Sequence, residues 1–424
     1  KCELNRLLGR LHLQAMTIAR IAPLAALALL AGCSDEDPTQ PGPDPQPEGV
    51  TFQMTTTLEP GTEAEHCKFV RGPAEGMLVN RDRVDYTEGS HHFLLYTTPY
   101  DDIPTEDDNG DPIDYLDAEQ GVFDCSEGVQ FGYSIQQLVG GSQNANGDSI
   151  VDLPPGVGMR VPPNVVLLMN AHYINASSDT LEPVVDVTLE TLTEDELEQE
   201  GSVLFWYNPF IKVPGQGTAF ATTICDLPDD VTLTNAQSHM HARGVDYTAS
   251  ILEPGGDRSE IYRNTEWEDV PVERFADGLA IEGGSRIEYT CHYDNPGMDD
   301  IFQGPRSTDE MCMFIGSYYP SEPGVDLCSG RADAPYDTTF FGGEWVGQGQ
   351  ANCADSMACF QTALVAGPSD PIGLLAEITE CVLASDPSVS PELSDVIGCT
   401  FSSFVTGGNG FGDCQDPIDA CSAK

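Results

Sequence analysis

The chain of 424 residues has few basic side chains, with 18 Lys and Arg against 69 Asp and Glu, and its formal net charge is −51. So acidic a chain repels nucleic acid and anionic lipid headgroups, which argues against DNA or RNA partners. We interpret the charge as a solvated surface suited to a saline milieu rather than as a dedicated site for cationic substrates. Carboxylate clusters such as Asp107–Asp111 could bind calcium weakly, but none carries the full twelve-residue EF-hand pattern.

The sequence near the N-terminus lacks an apolar run long enough to span a bilayer. Residues 16–33, MTIARIAPLAALALLAGC, combine a basic start, a short apolar run and a small-residue end before Cys33. This segment resembles a bacterial lipoprotein signal, in which Cys33 becomes the lipidated first residue of the mature protein. We therefore predict a signal region over 1–33 and a disordered, acidic and Pro-rich linker over 34–50. The protein would be exported and lipid-anchored to a bacterial membrane, on the periplasmic or cell-surface side.

Cysteine pairs spaced as CxxC are also missing, so zinc-ribbon and thioredoxin-like proteins have no support. Of the 14 cysteines, Cys2 and Cys33 belong to the leader, and the other twelve are consistent with six disulfides in an oxidising compartment. Six of the twelve lie in the last 72 residues, which predicts a small tail domain over 350–424 that needs disulfides to hold a thin core. The apolar spacing of DPIGLLAEITECVLA (370–384) predicts that this tail is helical.

The rest of the chain has the composition of a β protein. Its length predicts two or three domains, and a hydrophobic content of 40% is enough to form their cores. Runs of aliphatic residues and Thr alternate with turn clusters rich in Gly and Pro, which favours strands. We predict one β unit over 51–199, a second over 200–332, and a connector over 333–349 before the tail.

Histidine is scarce, yet five of the eight histidines fall in three short segments, SHHF (90–93), NAHY (170–173) and SHMHARG (238–244). Met311 follows in DEMCMF (309–314). Imidazole suits copper in either oxidation state, and a thioether favours Cu(I). Because His239 and His241 are two residues apart, they project from one face of a strand and can chelate one ion. Two histidines and a methionine in an acidic context therefore predict a redox copper site.

His91, His92 and His172 form a second candidate set. Adjacent residues of a regular strand point to opposite faces, so joint ligation by His91 and His92 requires a bulge or a strand end. His172 could complete the set.

Other residues offer alternative ligands or simpler roles. Met298 and Met313 are alternatives to Met311 as the thioether ligand. His66 and His292, each beside a cysteine, are predicted to be packing or surface residues rather than ligands.

Seven segments together resemble the type II copper, ascorbate-dependent monooxygenases, a family that includes dopamine β-monooxygenase and the peptidylglycine α-hydroxylating enzymes. In chain order they are HH (91–92), FDCSEG (123–128), LPPGVGMRV (153–161), AHYIN (171–175), HMHARG (239–244), TCHYDN (290–295) and DEMC (309–312). The likeness covers roughly residues 51–330. A single HxH pair would be unspecific, whereas seven segments in the same order are specific.

The resemblance implies a mainly β fold with two antiparallel, jelly-roll-like β-sandwich domains that face each other across a solvent-filled cleft. Each domain would hold one copper ion. The first set, His91, His92 and His172, would bind an electron-supplying copper. The second set, His239, His241 and Met311, would bind the copper at which dioxygen reacts and the substrate C–H bond breaks. The resemblance also implies three disulfides, Cys67–Cys125, Cys225–Cys328 and Cys291–Cys312.

The implied activity is hydroxylation of a C–H bond in a small organic substrate, with O2 and with ascorbate or another small reductant as co-substrate. In peptide-amidating members an arginine, an asparagine and a tyrosine bind the peptide carboxylate. Gln237, Met313 and Ile315 stand at those positions here, which argues against peptide amidation. Gln237 is a candidate substrate contact, and Asn170, two residues before His172, is expected to orient that ligand. The substrate and the oligomeric state do not follow from the sequence.

Two hypotheses from other functional classes are alternatives to the monooxygenase. In one, a surface lipoprotein uses the same six ligands to bind or store copper without turnover. In the other, a structural exoprotein uses its sandwiches for adhesion and its tail for docking. The adhesion hypothesis leaves the six ligands unexplained. Both ligand sets are complete, which favours the monooxygenase over copper storage.

Overall fold

The computed structural model describes residues 49–322, 324–328, 342–366, 371–405 and 408–424. The predicted signal region with Cys33, nearly all of the predicted linker, and residues 333–341 of the predicted connector lie outside the described residues. Among the helices in the described ranges, none combines the length and the apolar character needed to cross a membrane.

The first β unit contains two sheets and one short helix. Its elements are β1 (Gly49–Thr55), β2 (Glu63–Arg71), β3 (Met77–Tyr86), β4 (Ser90–Thr97), β5 (Tyr115–Asp117), β6 (Val122–Asp124), α1 (Val129–Gly132), β7 (Leu138–Ser142), β8 (Val157–Val161), β9 (Val166–Ile174), β10 (Val184–Thr191) and β11 (Gln199–Glu200). One sheet has the order β1-β10-β3-β8-β11 and the other β5-β6-β2-β9-β4-β7. All pairs are antiparallel except β8 with β11, which is parallel.

The two sheets of the first unit pack face to face around one hydrophobic core. Strand β10 alternates, with Val185, Val187 and Leu189 buried against that core, as expected for a strand with one face in solvent. Strand β9 is buried along almost its whole length. It is therefore covered on both faces, and its second face carries His172.

The second β unit is also built from two main sheets. Its strands are β12 (Ser202–Tyr207), β13 (Lys212–Val213), β14 (Gly217–Leu227), β15 (Val231–His239), β16 (Gly244–Leu252), β17 (Arg258–Asn264), β18 (Glu273–Ile281), β19 (Ser285–Asn295), β20 (Ile301–Phe302), β21 (Met313–Tyr319) and β22 (Glu344–Trp345). The sheet orders are β12-β21-β15-β18 and β17-β16-β19-β14-β22, with β13 paired to β20. Residues of both main sheets share a second core around Trp206, Tyr247 and Tyr289.

The tail is helical and carries three disulfides. Its α-helices are α2 (Cys353–Ala366), α3 (Pro371–Ala384), α4 (Ser390–Val405) and α5 (Gln415–Ser422), with 3-10 turns at Pro387–Val389 and Gly410–Asp413. The hydrophobic core of the tail includes Phe210 and Trp345, which precede residue 350. The tail therefore packs directly on the second β unit.

The twelve cysteines after Cys33 form six disulfides. They are Cys67–Cys125, Cys225–Cys328, Cys291–Cys312, Cys353–Cys421, Cys359–Cys381 and Cys399–Cys414. The first three are the pairs that the resemblance implies. The prediction of a mainly β protein with two antiparallel sandwiches and a helical, disulfide-rich tail is confirmed.

Candidate metal centres

Three imidazoles of the first β unit converge at one end of its six-stranded sheet. His91 and His92 lie on β4, and His172 lies on the neighbouring strand β9. The register of these strands shifts between Ser90 and His92, so His92 faces His172 while His91 is displaced. This irregularity turns both adjacent histidines toward one point. One nitrogen from each of the three rings lies within 4.8 Å of the others.

Three ring nitrogens of this set lack a hydrogen-bond partner among the described residues, which favours a bound metal ion. His172 Nδ1 is 3.2 Å from His92 Nε2. Both ring nitrogens of His91, and Nδ1 of His92, are buried and have no hydrogen-bond partner among the described residues. Leaving a buried polar atom unpaired costs about 1–3 kcal/mol, so three such atoms in one cluster indicate that a ligand belongs there. An all-imidazole donor set fits copper.

The second pair of imidazoles lies where β15 ends. His239 and His241 are both buried, and their Nε2 atoms are 3.2 Å apart. His239 Nδ1 is 2.8 Å from Gln143 Oε1. Since an amide oxygen only accepts hydrogen bonds, Nδ1 of His239 carries the proton and Nε2 keeps its lone pair. Gln143 belongs to the first β unit, so that unit sets the tautomer of a candidate ligand in the second.

A buried carboxylate connects the HxH turn to the segment that carries Met311. Glu310 accepts hydrogen bonds from the backbone N–H of His241 at 3.0 Å and of Arg243 at 2.6 Å. Burial raises the pKa of Glu310 to about 7, although these hydrogen bonds act in the opposite direction. Because Met311 is the next residue, the same carboxylate ties the backbone of the segment that carries the candidate thioether to the HxH turn.

Met311 is held from both sides in the chain. Its carbonyl oxygen accepts a hydrogen bond of 2.9 Å from the hydroxyl of Tyr293, and the next residue, Cys312, is bonded to Cys291 on β19. A weak ligand needs a fixed backbone of this kind, since its own bond to a metal cannot order the segment.

The alternative methionines are placed differently. Met298 has 77% of its surface exposed, far from a buried site, whereas Met313 is buried and lines the same cavity as Met311. Met240, between the two histidines of the HxH, is buried in the core of the second unit. The structure therefore brings Met311 and Met313 to the cavity and leaves Met298 at the surface.

Burial keeps His91, His92, His239 and His241 neutral at neutral pH. It lowers the pKa of His91 to about 4 and that of His239 to about 3, and it lowers the pKa of His92 and of His241 well below the usual value. Neighbouring imidazoles add to the effect, because each disfavours a second positive charge nearby. Neutral imidazole is the form that binds metals, so the clusters are prepared for metal at pH 7.

The two sets meet at the interface between the β units. The rings of His92 and His239 are 5.3 Å apart between centroids, and Trp267 of the second unit packs on His91 at 5.7 Å. The expectation of an open, solvent-filled cleft between the sets is therefore wrong for this structure. The physical reason is a segment of the first unit, residues 143–152, that hydrogen-bonds to the second unit. One such bond joins Asn144 to the carbonyl of Val270 at 2.9 Å.

A cavity lies against both histidine sets. Its lining consists of Glu65, His92, Leu94, Tyr96, Gly128, Val129, Ile135, Gln143, Asn170, Phe205, Tyr207, His239, His241, Pro305, Met311 and Met313. Most of the lining residues are apolar or aromatic. Glu65 adds a buried carboxyl group to the lining, and burial raises the pKa of this group to about 7. The cavity is thus suited to an apolar molecule with a polar group near one end.

Gln237, the candidate substrate contact, and Asn170, which was expected to orient His172, make other contacts. Gln237 is fully buried, does not line the cavity, and donates its amide N–H to the carbonyl of Ser149 at 3.2 Å. Its side chain is therefore directed at the segment 143–152 of the first unit, away from the cavity. The amide of Asn170 is directed at Glu65 and at the Cys67–Cys125 sulfurs, with no hydrogen bond to His172.

The carboxylate that accepts a hydrogen bond from His172 belongs to Glu63, a residue that the sequence did not single out. Its carboxylate accepts from Nε2 of His172 at 2.9 Å, and it accepts from the backbone N–H and the hydroxyl of Ser307 at 2.8 and 2.9 Å. The hydrogen bond from His172 is the main reason that the pKa of Glu63 falls to about 2. Since Ser307 is 244 residues away in the second unit, no local pattern could reveal this contact.

The remaining histidines that can be described have ordinary surroundings. His66 is buried and its Nδ1 lies 2.7 Å from the hydroxyl of Thr56, while His292 is exposed beside Phe220. Neither approaches the two histidine sets as a hydrogen-bond partner.

The fold and the site together define a two-sandwich protein in which an all-imidazole cluster, a second histidine pair and Met311 lie at one interdomain cavity. Residues 203–341 match the family model described as copper type II ascorbate-dependent monooxygenase, C-terminal domain. The protein therefore carries the C-terminal domain of the type II copper, ascorbate-dependent monooxygenase family, and the resemblance seen in the sequence is confirmed. The matched domain is typical of copper-dependent oxidoreductases.

The other comparisons add little. No curated protein matches the chain. Among solved structures, the Sputnik virophage covers 70% of this chain and 91% of its own at 7% identity, with a TM-score of 0.18. The exported protein XepA of PBSX covers 57% and 86% at 7% identity (TM-score 0.14), and infectious bursal disease virus, Gt strain, covers 68% and 76% at 12% identity (TM-score 0.16). TM-scores this low support no inference about fold or function.

Proposed function

We propose that the protein is a dicopper monooxygenase that hydroxylates a C–H bond of a small organic substrate, with O2 and a reductant such as ascorbate. The observation that carries the proposal is the contact of the all-imidazole cluster with the His239/His241 pair, beside a cavity that Met311 also lines. The family match of the second β unit supports the same chemistry.

In this proposal each cluster holds one copper ion. His91, His92 and His172 bind the electron-supplying ion, and His239, His241 and Met311 bind the ion at which the substrate reacts. Bound copper would supply the electron transfer and the O2 activation that protein side chains cannot provide. Overall, one oxygen atom of O2 enters the C–H bond and the other leaves as water. The reductant supplies the two electrons, and two protons are taken up.

The side chains around the cavity have three roles. Leu94, Tyr96 and Phe205 provide apolar walls that would pack on the carbon skeleton of a substrate and exclude water. Gln143 holds His239 with its Nε2 lone pair toward His241. Glu310 and the Cys291–Cys312 disulfide keep the Met311 segment in register with the HxH turn.

The test is a product search with isotopic oxygen. Copper-loaded protein is incubated with ascorbate, ¹⁸O2 and a metabolite extract, and products are searched by mass spectrometry for gain of a single ¹⁸O atom. We expect at least one such product from the native protein. Met311→Ile should abolish it while copper binding by His91, His92 and His172 persists, and Met298→Ile, at an exposed methionine, should behave like the native protein.

Two results would contradict the proposal. Full activity of Met311→Ile would remove that thioether from the mechanism. Tight binding of copper without any ascorbate-dependent oxygen incorporation would instead favour the copper-storage lipoprotein.

We also propose that the protein is exported and anchored through a lipid on Cys33. The lipoprotein-like segment at 16–33 and the six disulfides, which need an oxidising compartment, support this location. Membrane fractionation tests it: Cys33→Ser should move the protein from the membrane fraction to a soluble fraction. Unchanged membrane association of that variant would overturn the anchor.

A further inference from the structure

One carboxylate outside both ligand sets accepts a hydrogen bond from a histidine of the first set. Through Ser307 it is also connected to the turn that carries the second histidine pair. Glu63 begins strand β2 of the first unit and lies beside His172, and its oxygens also face the loop between β20 and β21 of the second unit. That loop contains Ser307 and, four residues later, Met311. The Glu63 side chain is 30% exposed, so Glu63 lies at the rim of the interface rather than in a core.

We propose that Glu63 is a positioning residue that orients His172 for metal binding and, through Ser307, fixes the loop that carries Met311. The inference rests on the proposed copper sites and goes beyond them. It assigns to a residue that binds neither metal nor substrate the task of assembling both centres when the two β units dock.

The hydrogen bond to His172 selects which nitrogen is available. An ionised carboxylate only accepts, so Nε2 of His172 must carry the proton that it donates to Glu63. The other nitrogen, Nδ1, then has its lone pair on the side of His92, at 3.2 Å from that ring. A carboxylate behind a histidine ligand fixes the ring and increases its basicity, and its loss typically weakens metal binding 10- to 100-fold.

The two hydrogen bonds to Ser307 extend the path into the second unit. The carbonyl of Ser307 accepts at 3.5 Å from the backbone N–H of Ala242, the residue after His241, and at 3.4 Å from the Arg243 side chain. The path thus runs from a histidine of the first set, through Glu63 and Ser307, to the turn of the second set. In the docked units one chain of hydrogen bonds therefore links His172 to the HxH turn.

A nearby ion pair provides a matched control. Arg306, adjacent to Ser307, pairs with Glu127 of the first unit at 2.9 Å, and both side chains are mostly exposed. This pair also joins the two units, but it contacts no histidine of either set. Glu127→Gln removes an interface charge beside the path and leaves the path intact.

The experiment separates the two ends of the path. Copper affinity of the first set is measured by competition with a chelator in a His239→Ala/His241→Ala background, together with the Cu(II) electron paramagnetic resonance spectrum. Hydrogen exchange of residues 303–311 is measured on the metal-free chain with native histidines. The variants are Glu63→Ala, Glu63→Gln, Ser307→Ala and Glu127→Gln.

We expect Glu63→Ala to weaken copper binding about 10- to 100-fold, to shift the copper spectrum, and to speed exchange in the loop. Glu63→Gln, which keeps an acceptor oxygen and the side-chain shape, should show smaller changes of the same kind. Ser307→Ala should speed loop exchange but leave the affinity and spectrum of the first set unchanged. Glu127→Gln should match the parent in every measurement.

Several outcomes would overturn the inference. Unchanged affinity, spectrum and exchange in Glu63→Ala would show that Glu63 positions nothing. A loss beyond about a thousandfold already in Glu63→Gln would identify Glu63 as a metal ligand instead, since loss of a positioning partner costs less. If the chain bound no copper, the proposed function would fail, while the exchange measurements would still decide whether the Glu63–Ser307 contact orders the loop.

Discussion

Replacing Glu310 should destabilise the second β unit, because this one carboxylate accepts hydrogen bonds from two buried backbone N–H groups. The variant Glu310→Leu removes the acceptor for the backbone N–H groups of His241 and Arg243. Each buried N–H left without an acceptor costs about 1–3 kcal/mol, which gives about 2–6 kcal/mol for the pair. Burial also disfavours the carboxylate itself, as its raised pKa shows, and the substitution relieves that cost. A pKa raised from 4.5 to about 7 sets that cost at up to about 3 kcal/mol at pH 8. We therefore expect a net loss of about 1–3 kcal/mol.

The assay is urea unfolding of the metal-free, disulfide-intact protein at pH 8, where more of the Glu310 carboxyl is ionised. Glu310→Gln keeps one acceptor oxygen and should lose roughly half as much as Glu310→Leu. Glu194→Leu is the control, because Glu194 pairs with Arg160 at the surface and exposed pairs of this kind contribute little to stability. A Glu310→Leu variant no less stable than Glu194→Leu would refute the reasoning that this carboxylate holds the HxH turn.

Three further predictions concern the cavity, the Met311 segment and the tail. Burial raises the pKa of Glu65 from 4.5 to about 7, so this group destabilises the fold progressively as pH rises through that window. Glu65→Gln should therefore gain stability relative to the native protein between pH 5 and 7.5, by at most about 3 kcal/mol, in parallel unfolding curves; a difference independent of pH would contradict this. Replacing both Cys291 and Cys312 by Ala, which opens a link between residues 21 apart, should cost about 3 kcal/mol in the same unfolding assay, and an unchanged midpoint would show that the disulfide adds no stability. Phe210→Ala should weaken tail docking and speed proteolysis between the second unit and the tail, since Phe210 packs edge-on against Trp345; native-like protease resistance would show that the tail docks without it.

Local sequence patterns were sufficient for the elements that the site is built on. Alternation along β10 and the Gly- and Pro-rich breaks between strands predict β structure because each strand has one face in a core. The HxH spacing places His239 and His241 together, and the adjacent histidines at 91 and 92 require the irregularity that β4 has. These features depend on a few neighbouring residues and so can be read directly from the sequence.

Contacts between the two units could not be predicted in this way. The pairing of Gln143 with His239 and of Glu63 with Ser307 joins residues 96 and 244 positions apart. Nothing in the local sequence of either partner indicates the other, since many Glu and Gln residues stand on strand ends. The open cleft was expected from the family resemblance, and its closure depends on hydrogen bonds of the segment 143–152 to the second unit, which no local pattern indicates.

The most direct test of the central claim is the number of copper ions bound by the protein and by variants of each set. The native protein should bind two copper ions per chain. The variant His91→Ala/His92→Ala and the variant His239→Ala/His241→Ala should each bind one, because the two clusters use separate ligands. A native protein that binds a single copper ion or none, or a loss of both ions from either variant, would contradict two independent centres at one cavity.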